Sequence, residues 1–173
     1  MIRELTEREL DEFLKVRTDS LKLNPNSFGS DPNLKIDKEK TRVDLKSKNE
    51  ENFILGYYNH DQMIGLVGFI RESGIKKKHK GFIWGVFVYP EFRGKGIGKE
   101  LLKACLTKIA ELNGIVKVVL TVTHTSTEAI ALYKRLGFNQ FGIEKNSMKW
   151  KGVSIDEIYM EKIMEEKPAH NIS

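Results

Sequence analysis

A single cysteine, Cys105, is all that the chain contains, so no intrachain disulfide can form. Long apolar runs are missing too: no stretch approaches the roughly 18 consecutive apolar residues that a membrane-spanning helix needs. The opening Met1 to Leu10 alternates in charge, so no secretory signal is expected and a cytoplasmic location follows as the default. The four histidines, His60, His79, His124 and His170, lack metal-ligand spacing to one another or to Cys105, and no metal is expected. Neither an internal repeat nor a linker divides the sequence. Its 173 residues suit one domain, 1–173, with a flexible tail from about 166.

What is present is an ordinary globular composition. Hydrophobic residues make up 40% and charged residues 31%, enough apolar content for a core and too much for a disordered chain. The net charge is +5, and much of it sits in Ile75 to Lys80, IKKKHK. Such a balance suits an anionic partner, a phosphorylated cofactor or a nucleic acid, without selecting between them. A lysine run of this kind is more often a solvated loop than a binding patch, and it is read here as a mobile connection between strands.

Periodicity orders the chain. Helical spacing runs from Thr6 to Leu23 and stops at Asn24-Pro25-Asn26-Ser27-Phe28-Gly29, a turn-rich segment holding one aromatic. A charged helix is expected from about Asp37 to Lys48. Strands follow at Phe53 to Tyr58, Met63 to Ile70 and Phe82 to Val88. Residues Ile97 to Leu112 give the clearest helix, with Ile97, Leu101, Leu102, Cys105, Leu106, Ile109 and Leu112 on one stripe. The β-branched run Val116 to Val122 reads as a buried strand. Thr125 to Leu136 returns to helical spacing, with Thr125 and Glu128 in position for a capping box. Two last strands, Asn139 to Lys149 and Glu157 to Met164, flank the turn Lys151-Gly152. The pattern predicts a mixed sheet flanked by about four helices.

The most informative stretch joins a buried strand to that clearest helix: Val86-Phe87-Val88-Tyr89-Pro90-Glu91-Phe92-Arg93-Gly94-Lys95-Gly96-Ile97-Gly98-Lys99. A helix start carries unpaired N–H groups and the positive end of the macrodipole, so it accepts phosphate. Glycines at 94, 96 and 98 remove the β-carbons that would hold a pyrophosphate away, and Arg93, Lys95 and Lys99 add mobile positive charge. The nucleoside-triphosphate loop and the dinucleotide fingerprint both fail on spacing. What remains is Arg-x-x-Gly-x-Gly at Arg93, Gly96 and Gly98. It resembles the acetyl-CoA pyrophosphate loop of the GNAT superfamily of N-acetyltransferases.

The resemblance is strongest from Phe82 to Phe138. Ser126-Thr127-Glu128-Ala129-Ile130-Ala131-Leu132-Tyr133-Lys134-Arg135-Leu136-Gly137-Phe138 is similar to the family's second signature, with Ser126 where asparagine is usual. The resemblance implies the GNAT fold, α/β (α+β), with a mostly antiparallel mixed sheet of about six to seven strands. It implies acetyl-CoA as cosubstrate and a primary amine, on a small molecule or a protein, as acceptor by direct attack. By the same resemblance Val86, Phe87 and Val88 pair with the pantetheine arm and Arg93, Gly94, Lys95, Gly96, Ile97, Gly98 and Lys99 hold the pyrophosphate. Ser126 and Tyr133 complete the cofactor contacts, and a homodimer is common in the family.

The chemistry needs a neutral amine, a polarised carbonyl and a protonated leaving thiolate. A backbone N–H near Val88 is placed to stabilise the developing oxyanion. Tyr133 matches the tyrosine that serves as general acid in the family; spacing alone equally allows a core aromatic. No carboxylate lies in the strands Phe82 to Val88 or Val116 to Thr123, which leaves His124, then Glu72, Glu91 or a water chain as base. Phe28 is a substrate-side candidate, whereas Cys105, Trp84 and Trp150 read as packing residues. Two alternatives compete with the enzyme: an acyl-CoA-binding sensor without turnover, and a basic nucleic-acid-binding module. The second lacks an aromatic-interleaved basic strand and a basic recognition helix, so neither nucleic acid nor membrane is expected as partner.

Overall fold

A computed structural model gives the structure over residues 1–46 and 52–164. The elements run β1 (Ile2–Glu4), α1 (Leu10–Leu23), α2 (Lys38–Lys46), β2 (Asn52–Asn59), β3 (Gln62–Arg71), β4 (Lys80–Val88), α3 (Ile97–Glu111), β5 (Lys117–Thr123), α4 (Thr127–Arg135), β6 (Asn139–Trp150) and β7 (Val153–Ile163). All seven strands join one sheet in the order β1-β2-β3-β4-β5-β7-β6. Only β4 and β5 are parallel; every other neighbouring pair is antiparallel.

Several boundaries differ from the sequence reading. The edge strand β1 was not expected; three residues are too few to show a period. The first helix begins with a 3-10 turn, Glu7–Glu9, where the Thr6 hydroxyl and the Glu9 carboxylate form a capping box. The box expected at Thr125 and Glu128 does not form. The Ser126 hydroxyl lies 2.9 Å from that of Thr123 and that of Thr125 lies 3.3 Å from it, so both turn back toward β5. Strand β7 starts four residues before Glu157 because the Lys151-Gly152 turn, with both residues at positive φ, closes a hairpin at once. The expected end of the second helix, and the tail, lie outside the described residues. Of the stretch Ile75 to Lys80, Ile75 to His79 forms a hydrogen-bonded turn and Lys80 begins β4: the Lys77 and Lys78 amides both donate to the Gly74 carbonyl, and the Arg71 side chain donates to Lys78 O.

The most buried strand is β3, next to the middle strand β4, and every residue from Met63 to Phe69 is buried. Successive side chains point to opposite faces, so both faces must be covered, and the helices that touch β3 are α1 and α3. The α3 stripe Ile97, Leu101, Leu102, Cys105 and Ile109 is buried as its spacing implied. Each large member contributes on the order of 1.5–3 kcal/mol.

Two irregularities open the sheet. Between Gly68↔Trp84 and Leu66↔Phe87, β4 spends three residues against two of β3, a bulge at Gly85 and Val86. Then β4 and β5 pair only over Lys80–Phe82 and Lys117–Val119, although both strands continue. Beyond that point they diverge, and one edge of β4 from Ile83 to Val88 has no partner strand among the described residues.

Candidate active site

The divergence of β4 from β5 leaves a cleft of about 920 Å³, walled by both strands, α3, α4 and the segment after α1. One end is the start of α3. Gly96 caps that helix at φ +83° without a side-chain cap, and Gly94 lies at φ +74°. A Cβ at either glycine would meet nothing within 4 Å, so what they provide is backbone conformation, not room within the chain. The first helical bond runs from Glu100 N–H to Gly96 O, which leaves the Ile97, Gly98 and Lys99 amides without an intrahelical acceptor. Open amides, positive charge and an unpaired strand edge leading to them fit an extended, phosphorylated thioester carrier.

Arg93 does not supply the mobile charge expected of it. Its Nε donates to Val88 O at 2.9 Å and an Nη to the Asn24 side-chain oxygen at 3.0 Å, so it clamps the end of β4 to the turn after α1. Arg93, Gly94, Gly96, Ile97, Gly98 and Lys99 all line the cleft. Lys95 does not; its ammonium stands 5.4 Å from the Phe92 ring centre. Val86, Phe87, Val88, Ser126, Tyr133 and Phe28 line it as well.

Tyr133, on α4, is 6% exposed and packs edge-on against Phe138 at 6.0 Å. Its hydroxyl bonds to no other described residue. Burial pushes the phenol well above its ordinary pKa, so it stays protonated and able to donate.

His124 is not on the cleft wall. Its backbone N–H donates to the Asp156 carbonyl at 3.0 Å, and the Asp156 backbone N–H donates to its ring Nδ1 at 3.1 Å, so the ring is tied to β7 and exposed. Alternation of faces explains the reversal, because Thr123 pairs with Glu157 in register, one step from His124. Glu157 therefore takes the cleft side. No sequence reading found it, since the search for a carboxylate stopped at β4 and β5; the signal was the pairing of the last strand with β5. A bulge in β6 between Glu144 and Met148 brings Ser147 Oγ to donate to Glu157 Oε2 at 2.5 Å, while Oε1 has no partner among the described residues. Glu72 and Glu91 do not line the cleft, and Cys105 is buried in the core with its thiol pushed up to about 12.

The far end is walled by the segment after α1. Gly29 lies against Met148 of β6, its Cβ position 3.8 Å from the sulfur, so this segment reaches across to the β6–β7 hairpin. Arg17 of α1 enters between two rings, 5.2 Å from the centre of Phe28 and 5.6 Å from that of Trp84. Trp84 sits over Gly68, where any Cβ would fall 2.1 Å from the indole. Tyr89 ties α1 to the end of β4 through Asp19, at 2.5 Å. Arg135 also lines the cleft and was not singled out in the sequence.

Fold and site together define a class: an acyl-carrier-dependent transferase with a phosphate-accepting helix start, a free strand edge and a buried phenol. Residues 12–138 match the profile of the Acetyltransferase (GNAT) family, and the chain belongs to that family. It is similar to the spermine/spermidine N(1)-acetyltransferase of Bacillus subtilis (strain 168), at 31% identity over 106 residues, 58% of this chain and 69% of that one. Among solved structures, a GNAT-family acetyltransferase from Streptococcus pneumoniae superposes with a TM-score of 0.87 at 18% identity, covering 95% of this chain and 99% of the other. The Salmonella typhimurium protein yncA, solved with its cofactor acetyl-CoA, gives 0.84 at 17% identity over 100% and 98%. The chain is an acetyl-CoA-dependent N-acetyltransferase. No helix among the described residues is long and apolar enough to cross a membrane.

Proposed function

We propose that this cleft acetylates a primary amine by direct attack, with Glu157 in place of His124 on the base side and Tyr133 as general acid. Bound acetyl-CoA supplies the acetyl group as a thioester. Gly94, Gly96, Ile97, Gly98 and Lys99 hold its pyrophosphate and the free edge of Val86 to Val88 aligns its arm. Arg93 fixes the loop, and Lys95 contributes only long-range charge. Ser126, already bonded to Thr123, shapes the α4 side of the channel.

Glu157 draws the proton from the amine, directly or through one water, its Oε2 held by Ser147 and Oε1 left to accept. An alkylamine of pKa about 10.4 needs this help at pH 7, where deprotonation costs about 4–5 kcal/mol. The Tyr133 proton then goes to the sulfur that leaves. The observation that supports the reading is that a phenol and a carboxylate oxygen, each without a partner among the described residues, line one cleft. It also weighs against a sensor without turnover, whose appeal was the lack of a carboxylate. Release of CoA matched mole for mole by acetylated amine, across a panel of amines, tests the proposal. Tight acetyl-CoA binding with no product from any amine would favour the sensor.

A further inference from the structure

The acceptor end of the cleft holds one feature that acetyl-CoA does not use. Arg17 of α1 lines the cleft beside Phe28 and Trp84, and a Cβ at bulge residue Gly85 would lie 3.7 Å from its Nη1. No carboxylate pairs with it among the described residues; its one polar contact is an Nη1 donation to Ser20 Oγ at 3.5 Å. Two other partly buried cations do have such partners: Lys117 pairs with Glu161 and Lys108 with Glu4. Burial lowers the guanidinium pKa, the mark of a charge desolvated without compensation. A guanidinium close to two ring faces and short of polar partners keeps N–H groups free, and its planar fork matches a carboxylate in a bidentate way.

We infer that Arg17 receives an anionic group of the acceptor, so that the acceptor is an amine that also bears a carboxylate: a free amino acid or a close analogue. This rests on the proposed function, which places the amine near Glu157. The two residues, both on the lining of one cleft, would then read the two charges of one zwitterion. An acceptor bearing only positive charges meets Arg17, which repels it, and among the described residues two carboxylates on the cleft lining, Glu128 and Glu157. In this respect the chain differs from what the name of its Bacillus relative implies for that protein.

The test compares L-α-amino acids with their C-terminal amides, and with spermidine, by steady-state CoA release, in wild type, Arg17→Met and Arg17→Lys. Acetyl-CoA affinity is measured in parallel by calorimetry. The best amino acid should exceed its amide about 10–100-fold in kcat/KM, as a charged hydrogen-bonded pair is worth about that factor. In Arg17→Met the ratio should collapse toward one, mainly through KM, with acetyl-CoA affinity unchanged; Arg17→Lys should keep part of it. The melting temperature of Arg17→Met should hold or rise, because an apolar chain of similar length relieves the buried charge. A best acceptor without an anionic group, or a ratio unmoved by Arg17→Met, overturns the inference. So does a drop of several degrees in melting temperature with the ratio intact, which would make Arg17 a spacer between rings. Wild type that binds acetyl-CoA but uses no carboxylate acceptor overturns the inference alone. Wild type that binds no acetyl-CoA overturns the reading of the cleft as well.

Discussion

Removing one oxygen from Tyr133 separates its chemistry from its packing. In Tyr133→Phe the ring still meets Phe138 edge-on, and no hydrogen bond within the protein is lost because the hydroxyl has no described partner. The melting temperature should therefore stay within about 2 °C, given that 1 kcal/mol moves a domain of this size by about 2–4 °C. Tyr133→Ala instead empties a site only 6% exposed, at a cost of about 3–5 kcal/mol, or roughly 6–20 °C. Turnover is the other half of the test. Loss of a general acid should lower kcat about 10²–10⁴-fold in Tyr133→Phe, with acetyl-CoA affinity little changed. The pH dependence follows in sign from two groups. A thiol of pKa about 8.5 leaves as a stable thiolate at higher pH, so the deficit of the Phe variant should shrink above about pH 8.5. Burial raises the Tyr133 pKa, so ionisation of the phenol should not cause that convergence, nor should wild type lose its donor near pH 10. Steady-state CoA release between pH 6 and 10, with calorimetry for binding, reads both quantities. Wild-type turnover in Tyr133→Phe, with damage confined to Tyr133→Ala, would refute the assignment and leave a core aromatic.

Further outcomes follow from the same geometry. Gly96→Asp should weaken acetyl-CoA binding at least tenfold by calorimetry, since it sets a carboxylate against the pyrophosphate, while Gly96→Ala separates out the roughly 1 kcal/mol of positive-φ strain; unchanged affinity in the Asp variant removes the loop from the site. Glu157→Gln should lower turnover about 10²–10⁴-fold at pH 7, and the loss should shrink as the pH nears the amine's own pKa; a pH-independent loss would make Glu157 structural. Burial pushes the Cys105 thiol from an ordinary 9.0 up to about 12, so native protein should resist thiol reagents at pH 8 and react only once unfolded, as mass spectrometry would show. The sign for stability is that of a raised pKa: the contribution of Cys105 is complete below pH 9 and is lost as the pH climbs toward 12.

Legibility in the sequence tracked how local the cause was. The α3 stripe and the glycine loop depend on neighbours within a few turns of chain, and their period and spacing are written there in full. Tyr133 was visible only as half of a signature; burial on α4 needed the fold. Glu157 was hidden for a different reason. It reaches the cleft through register, 34 positions along the chain from Thr123 in an antiparallel pair, and through a two-residue excess in β6 that no period announces. The same register removed His124, whose position just past β5 had looked favourable. Arg17 was overlooked because a charged residue on an amphipathic helix ordinarily faces water. Only the closing of Phe28 and Trp84 around it shows that it does not.

The parting of β4 from β5 bears on how this protein avoids its own kind. An open strand edge invites any extended chain to add itself, and sheets usually blunt such edges with charge, bulges or cover. Here the inviting stretch, Ile83 to Val88, lies in the middle of the sheet rather than at its rim, between β3 and the diverging β5. A slender chain threaded lengthwise can still reach it. The sheet thus keeps a hydrogen-bonding seam available to a narrow linear ligand and denied to aggregation, at a place where neither lysine nor proline had to be spent as a guard.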